Sequence, residues 1–380
     1  MEYVDYGQTG LRVSRFGLGG MRFPADAGEA IQMIRFAIDN GVNYIDTAYV
    51  YGDSEEIIGR ALKDGYRERV VLATKSPLWT VRSHADFEKG LDEQLRRLGV
   101  DYIDIYMHHN LFQKHWQRVK DLDGLGFLDD MVKKGKCRFR GFSIHGTLEA
   151  FREVLDAYDW DMAQIQLNII DACQQAGVAG LQYAAAKGVP VAIMESLRGG
   201  DLINFAPPGV DELIRAFPTR RSLAEWCFRW LYNMPAATVI LSGTSTLAQL
   251  QDNIRIFANS APNVMNAAEL DLIEKIRTLF EAAAGVGCTA CNYCMPCPQG
   301  VAIPEIIRMY KNLLRNPNYR IDKMYYHRSV IPKGNGADQC MDCGVCAEKC
   351  PQSLPIAEVL RQAHEALGTY MRLMYEPEEG

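Results

Sequence analysis

Eight apolar runs rich in β-branched residues recur along the first two thirds of the chain: Val13–Gly19, Tyr44–Ala48, Val70–Lys75, Tyr102–His109, Phe139–His145, Met162–Asn168, Val189–Ser196 and Thr238–Gly243. The stretches between them are too long for hairpins. Ala30–Asn40, Glu55–Lys63, Ala85–Leu98, Gly126–Lys134, Thr147–Ala157, Gly177–Lys187 and Arg221–Tyr232 carry apolar residues on one helical face and charges on the other. Strand alternating with helix predicts parallel βαβ units. Eight such units over about 250 residues match an α/β fold of the closed (β/α)8, or TIM, barrel type. An open doubly wound sheet would show fewer strands and a Gly-x-Gly-x-x-Gly turn after the first.

Ahead of the first barrel run, Tyr3–Tyr6 and Leu11–Val13 flank Gly7-Gln8-Thr9-Gly10, a hairpin pattern suited to closing the barrel bottom. Beyond the eighth run, Leu247–Phe257 and Ala267–Ala283 read as helices, and Ala284-Gly285-Val286-Gly287 breaks the pattern. This predicts a barrel over residues 1–285 and a small domain over 286–380.

With 380 residues, 48% hydrophobic and 23% charged, the chain has the make-up of a folded globular protein. Its net charge of -6 and the lack of a long basic block argue against nucleic acid and anionic membrane surfaces as partners. Neither a leader-like start nor a run of about 18 apolar residues is found, so a cytoplasmic location is expected. Cysteine usage changes this picture. Of 11 cysteines only Cys137, Cys173 and Cys227 precede residue 288, and the others form two tight clusters. In a reducing compartment such clusters point to metal rather than disulfides.

Cys340-x2-Cys343-x2-Cys346-x3-Cys350-Pro351 is the bacterial ferredoxin spacing for [4Fe-4S] binding. In that pattern three thiolates serve one cube and the fourth serves a second, so another run is expected. Cys288-x2-Cys291-x2-Cys294-x2-Cys297-Pro298 supplies it, with a last gap one residue shorter. Two [4Fe-4S] clusters follow, in a ferredoxin-like, largely helical domain. Crossed ligation pairs Cys288, Cys291 and Cys294 with Cys350, and Cys340, Cys343 and Cys346 with Cys297. Ligation within each run is the alternative, and two zinc sites are the other chemistry this residue set admits. Between the runs, Ile303–Leu314 reads as an amphipathic helix. Lys311 and Arg315 on or beside it offer either a basic face to an acidic electron carrier, packing on the barrel, or an ordinary solvated surface.

Chemistry in a (β/α)8 barrel sits where strands end. The second run ends in Asp46-Thr47-Ala48-Tyr49-Val50-Tyr51-Gly52, the third in Thr74-Lys75 and the fourth in His108-His109. A tyrosine can protonate a carbonyl oxygen when an ammonium lowers its pKa, a carboxylate holds that ammonium and a histidine orients the substrate. Strand parity places His109 with Ile103, Ile105 and Met107, which look like a barrel interior, and leaves His108 behind the strand.

Here the sequence resembles the aldo-keto reductase family, through Asp46-Thr47-Ala48-x-x-Tyr51-Gly52, Thr74-Lys75, Asp104-x-Tyr106-x-x-His109, Gly141-Phe142-Ser143 and Ser242-Gly243-Thr244-Ser245, and specifically its iron–sulfur-containing branch. The resemblance covers residues 1–280. It implies a catalytic tetrad of Asp46, Tyr51 as general acid, Lys75 and His109. It also implies an NAD(P)H site using Gly20, Met21, Ser143, Gln164, Leu197 and Gly200, with Gly243, Ser245, Gln249 and Asn253 around the adenosine phosphate. The chain departs from the pattern at Ile144, where an asparagine amide is usual, and at Met194, where a tyrosine commonly stacks on nicotinamide. No Lys or Arg lies between Ser242 and Gln251 to meet a 2′-phosphate, and Arg255 is the nearest substitute, so NAD and NADP both remain open.

Hydride transfer moves two electrons and each cube takes one, which calls for a splitter such as a flavin, although no flavin motif is recognised. The combination implies an oxidoreductase acting on a small-molecule carbonyl or alcohol, with clusters relaying electrons to or from a ferredoxin- or flavodoxin-like carrier. The alternatives are an electron-transfer or docking module on an inert barrel, and clusters that only staple the tail.

Overall fold

The computed structural model describes residues 1–111, 114–283, 285–286, 288, 294–350 and 353–368. Strands β1 (Tyr3–Asp5) and β2 (Arg12–Ser14) form an antiparallel hairpin. The eight strands that follow are β3 (Phe16–Gly19), β4 (Tyr44–Asp46), β5 (Val71–Ser76), β6 (Ile103–His108), β7 (Cys137–Ile144), β8 (Met162–Gln166), β9 (Val191–Met194) and β10 (Ala237–Ser242). They pair in parallel and in chain order, and β10 returns to β3 to close the barrel. Each coincides with one of the eight apolar runs, although β5 ends one residue beyond its run and β7 and β10 begin two and one residues before theirs.

Along the chain, the helices between and after the barrel strands are α1 (Ala27–Asp39), α2 (Ser54–Ala61), α3 (His84–Leu98), α4 (Lys114–Asp121), α5 (Gly124–Lys133), α6 (Leu148–Asp156), α7 (Gly177–Ala186), α8 (Asp201–Asn204), α9 (Val210–Ala216), α10 (Leu223–Asn233), α11 (Leu247–Phe257) and α12 (Ala267–Ala282). Their starts follow from capping chemistry. Asp26, Thr147, Ser222 and Thr246 each accept a backbone N–H three residues on, and Ser83 with Asp86 makes a reciprocal capping box. Gly59 lets α2 lie against α3, since a Cβ there would stand 2.3 Å from the Leu98 carbonyl oxygen.

The barrel interior is filled by Tyr44, Val71, Ala73, Ile105, Met107, Met162, Ala192, Val239 and Leu241, joined by Tyr6 and Val13 from the hairpin region. The hairpin therefore contributes to the barrel's packing, as its position before the first strand suggested.

The chain divides into two compact units, Met1–Ile203 with Phe217–Ile273, and Asn204–Ala216 with the chain from Glu274 onward. In the second unit α13 (Ile303–Arg315), α14 (Arg320–Tyr325), α15 (Val345–Glu348) and α16 (Ile356–Gly368) surround a core of their own. Val301, Ile303, Ile306, Ile307, Leu313, Tyr326, Val359, Leu360 and Leu367 belong to it, and Cys288, Cys294, Cys297, Cys340, Cys346 and Cys350 pack on its edge. The pattern break at Ala284–Gly287 lies partly outside the described residues. Among the described residues no helix is long and apolar enough to cross a membrane.

Candidate active site and iron–sulfur ligands

β4 and β5 pair so that Asp46 stands beside Ala73, with Lys75 two residues further along β5. Lys75 Nζ donates to both Asp46 oxygens, at 2.6 and 2.8 Å, and to the Thr47 carbonyl at 2.8 Å. Both side chains are buried. Tyr51 follows in the turn between β4 and α2, with the Lys75 nitrogen 5.1 Å from its ring centroid. His109, one residue past β6, meets the Tyr51 ring edge-on at 6.3 Å and that of Trp79 at 5.6 Å, centroid to centroid. The four residues read from the strand ends are thus gathered at one mouth. His108 points the other way: its Nε2 lies 2.9 Å from the Gly124 carbonyl, among Phe87, Phe127 and Trp160.

The electrostatics depart from the sequence expectation at one point. Burial raises the Tyr51 pKa, and although Lys75 opposes it through charge and a side-chain hydrogen bond, the balance is upward rather than downward. Desolvation outweighs the ammonium, so Tyr51 holds its proton at neutral pH. Burial also works to strip Lys75 of its proton, but Asp46 and Tyr51 more than compensate and the ammonium is held above its ordinary value. Asp46 is pushed up by burial against the pull of Lys75 and of the Gln164 amide. His109 is driven well below 6.5 by burial, then by the charges of Lys75, His115 and His145, and is a neutral imidazole. Its Nδ1 has no partner among the described residues.

The residues expected to hold a nicotinamide cofactor are spread over the same end of the barrel. Gln164 pairs in register with Ser143, and its Oε1 is buried with no hydrogen-bond partner among the described residues. Such an orphan acceptor suits the NH2 of a carboxamide, so this end fits the group. Ser143 Oγ accepts the Asn110 N–H at 2.9 Å. Gly20 is needed for packing, because a Cβ there would lie 2.6 Å from Ser54 Oγ, whereas Met21 is exposed. Leu197 and Gly200 lie in a bend in which Glu195, Arg198, Gly199 and Gly200 all have positive φ. Ser245 donates to the Gln249 side chain through N and Oγ, and buried Asn253 donates to Ser242 Oγ at 3.0 Å, beside Gly243. Arg255 is paired with Glu225 and Asp252, both at 2.8 Å, and its charge is already met.

Two residues at the mouth were missed by the sequence reading. Glu195 directly follows β9, its side chain 10% exposed and its nearest cation the Arg22 guanidinium at 4.0 Å. Its Oε2 is buried without a partner among the described residues, and burial raises its pKa. An ionisable residue closing an apolar strand was the signal used for Lys75, and applied here it would have found Glu195. Asn110 follows His109 with φ of 57°, a conformation unusual outside glycine.

In the tail, burial raises the Cys346 thiol pKa, and the charges of Cys340 and Cys297 add to it, so Cys297 neighbours the second run. Cys343 is exposed, and Cys291 lies outside the described residues. Among the described residues no group of three His, Cys, Asp or Glu side chains is gathered for a single metal ion. The α13 cations do not form an outward basic face. Lys311 donates to the Cys288 carbonyl at 3.2 Å, Arg308 pairs with Asp322 at 3.3 Å, and Arg315 lies over the Phe280 ring at 5.8 Å.

Residues 15–207 match the model of the aldo/keto reductase family, and the chain belongs to that family. Residues 287–354 match a 4Fe-4S dicluster domain. The chain is 30% identical over 295 residues to the aldo-keto reductase YhdN of Bacillus subtilis (strain 168), covering 66% of this chain and 87% of that one. It is 27% identical over 311 residues to the NADH-specific methylglyoxal reductase of Escherichia coli (strain K12), covering 67% and 93%. Among solved structures, the holo form of aldo-keto reductase AKR11C1 from Bacillus halodurans matches with a TM-score of 0.61 and 25% identity, over 73% of this chain and 96% of that one. The protein is an oxidoreductase of this family with a 4Fe-4S domain.

Proposed function

We propose that the protein interconverts a small-molecule carbonyl and its alcohol, with Tyr51 as the proton donor and two [4Fe-4S] clusters relaying electrons. The observation that carries this reading is the buried Lys75 ammonium held by both Asp46 oxygens at 2.6 and 2.8 Å, its nitrogen 5.1 Å from the centre of the Tyr51 ring. In reduction the Tyr51 phenol gives its proton to the carbonyl oxygen. The charge then left on the phenolate is met by Lys75, which Asp46 keeps in place and charged. Neutral His109 directs a ring nitrogen at the same oxygen. In the oxidation direction the Tyr51 phenolate takes the proton of the alcohol.

A bound NAD(P)H would supply the hydride. Gly20, Met21, Ser143, Gln164, Leu197 and Gly200 would hold its nicotinamide and diphosphate, and Gly243, Ser245, Gln249 and Asn253 its adenosine phosphate. The name of the Escherichia coli relative, an NADH-specific enzyme, supports a nicotinamide cofactor here. The barrel domain covers 1–285 and the dicluster domain 286–380. The closeness of Cys346 to both Cys297 and Cys340 supports crossed ligation: Cys340, Cys343 and Cys346 with Cys297, and Cys288, Cys291 and Cys294 with Cys350. A flavin is the natural splitter between hydride and one-electron steps, and a ferredoxin- or flavodoxin-like protein the natural carrier.

The test is an anaerobic titration of the reconstituted holoprotein with NADH and then NADPH, following cluster absorbance and EPR and assaying released flavin. Cluster reduction supports one connected redox enzyme. Nicotinamide binding with clusters that stay oxidised points to a structural tail. Absence of binding overturns the nicotinamide reading.

A further inference from the structure

The chain lacks the asparagine that usually follows the serine at the end of β7, where Ile144 offers no amide. The structure places another amide against the backbone that follows Ile144. Asn110 Oδ1 accepts the backbone N–H of His145, the residue after Ile144, at 3.1 Å. Asn110 N donates to Ser143 Oγ at 2.9 Å, and Leu111 N to the Ser143 carbonyl at 2.7 Å. The turn that allows these three contacts requires the positive φ at Asn110, a conformation asparagine tolerates.

An N–H donor facing one end of the side-chain amide fixes that end as the oxygen, so the Nδ2 group is the other end. The Asn110 side chain is nine-tenths buried, and no hydrogen bond donated by its Nδ2 is found among the described residues. On the other side of Ser143, the Gln164 Oε1 is a buried acceptor without a partner among the described residues. A free donor and a free acceptor flanking one serine form the complement of a primary carboxamide, whose oxygen accepts and whose NH2 donates.

We propose that Asn110 binds the carboxamide oxygen of the nicotinamide cofactor, supplying from the end of β6 the amide that β7 no longer carries. The inference rests on the nicotinamide reading above. Asn110 is a binding residue that fixes which face of the ring meets the substrate, and it takes no part in proton transfer.

The test measures binding of NADH, NADPH and ADP-ribose to the full-length holoprotein and to Asn110→Gly and Asn110→Asp. Glycine keeps the positive φ and removes the amide. Aspartate keeps the acceptor for His145 and replaces the donor with an oxygen. Both variants are expected to bind the preferred nicotinamide cofactor at least about fivefold more weakly, the size of one lost hydrogen bond, with ADP-ribose affinity unchanged. Equal affinity for the reduced cofactor in wild type and variants overturns the role of Asn110, as does equal weakening toward ADP-ribose, which marks a loop-holding role. Wild-type protein that binds neither NADH nor NADPH overturns the nicotinamide reading itself.

Discussion

Lys75 keeps its charge where burial opposes it, and the energy of that arrangement sits in the pair rather than in either partner. Lys75→Met leaves Asp46 buried without its cation and is expected to cost about 3–5 kcal/mol in chemical denaturation, while adding Asp46→Leu restores much of it. A double variant as unstable as the single would refute the pairwise account. Tyr51→Phe keeps the packing and removes the acid, and turnover should fall about 100- to 10,000-fold with little change in stability. Because Tyr51 is shifted upward, the reductive rate should hold through neutral pH and fall only in the alkaline range, as the phenol loses its proton. A fall centred near neutrality would assign the limiting proton elsewhere. Asp46, Lys75 and His109 could be read from the sequence because each stands at or near the end of an apolar run, and Tyr51 because it lies in the turn just after the second. Asn110 could not, since its relevance arises from a hydrogen bond across two strands, and nothing in its neighbours' spacing signals a left-handed turn.

Among the elements, the packing of α2 on α3 depends on one missing methyl. Gly59→Ala forces a contact with the Leu98 backbone, which cannot yield as a side-chain tip would, and a loss of about 1–3 kcal/mol is expected in the denaturation midpoint. An unchanged midpoint would show that the helices part freely. At the end of β6, burial lowers the His108 pKa to about 4. The folded state therefore favours the neutral ring. Its contribution, about 3 kcal/mol, is complete above the unfolded value of about 6.5 and is lost as pH falls toward 4. His108→Gln should flatten the pH dependence of stability in that window, and an unaltered slope would place the titration on another group. The pattern of strands was readable because barrel strands are buried on both faces and appear as continuous apolar runs. α4 was not, because Lys-His-Trp-Gln-Arg-Val-Lys-Asp buries His115, Trp116 and Val119, and only two of these are apolar, too few to display a period.

For the whole molecule, the tail's cysteine spacing announced its chemistry, while its helical core went unread beyond α13, although Ile356, Val359, Leu360, Ala363 and Leu367 repeat on one face of α16. Crossed ligation makes a separable prediction. In a Cys288→Ser/Cys291→Ser background, the EPR signal of the remaining cluster should respond to Cys297→Ser and ignore Cys350→Ser; the reverse pattern would establish ligation within each run. The division of the chain carries a further consequence. Asn204–Ala216, the stretch after the bend that follows β9, is grouped with the C-terminal unit rather than with the barrel strands on either side of it. The tail is then no detachable cassette. Grafting residues 286–380 alone onto another barrel of the family would leave out Asn204–Ala216 and the stretch from Glu274, and a chimera that carries both with the tail is expected to be the more stable.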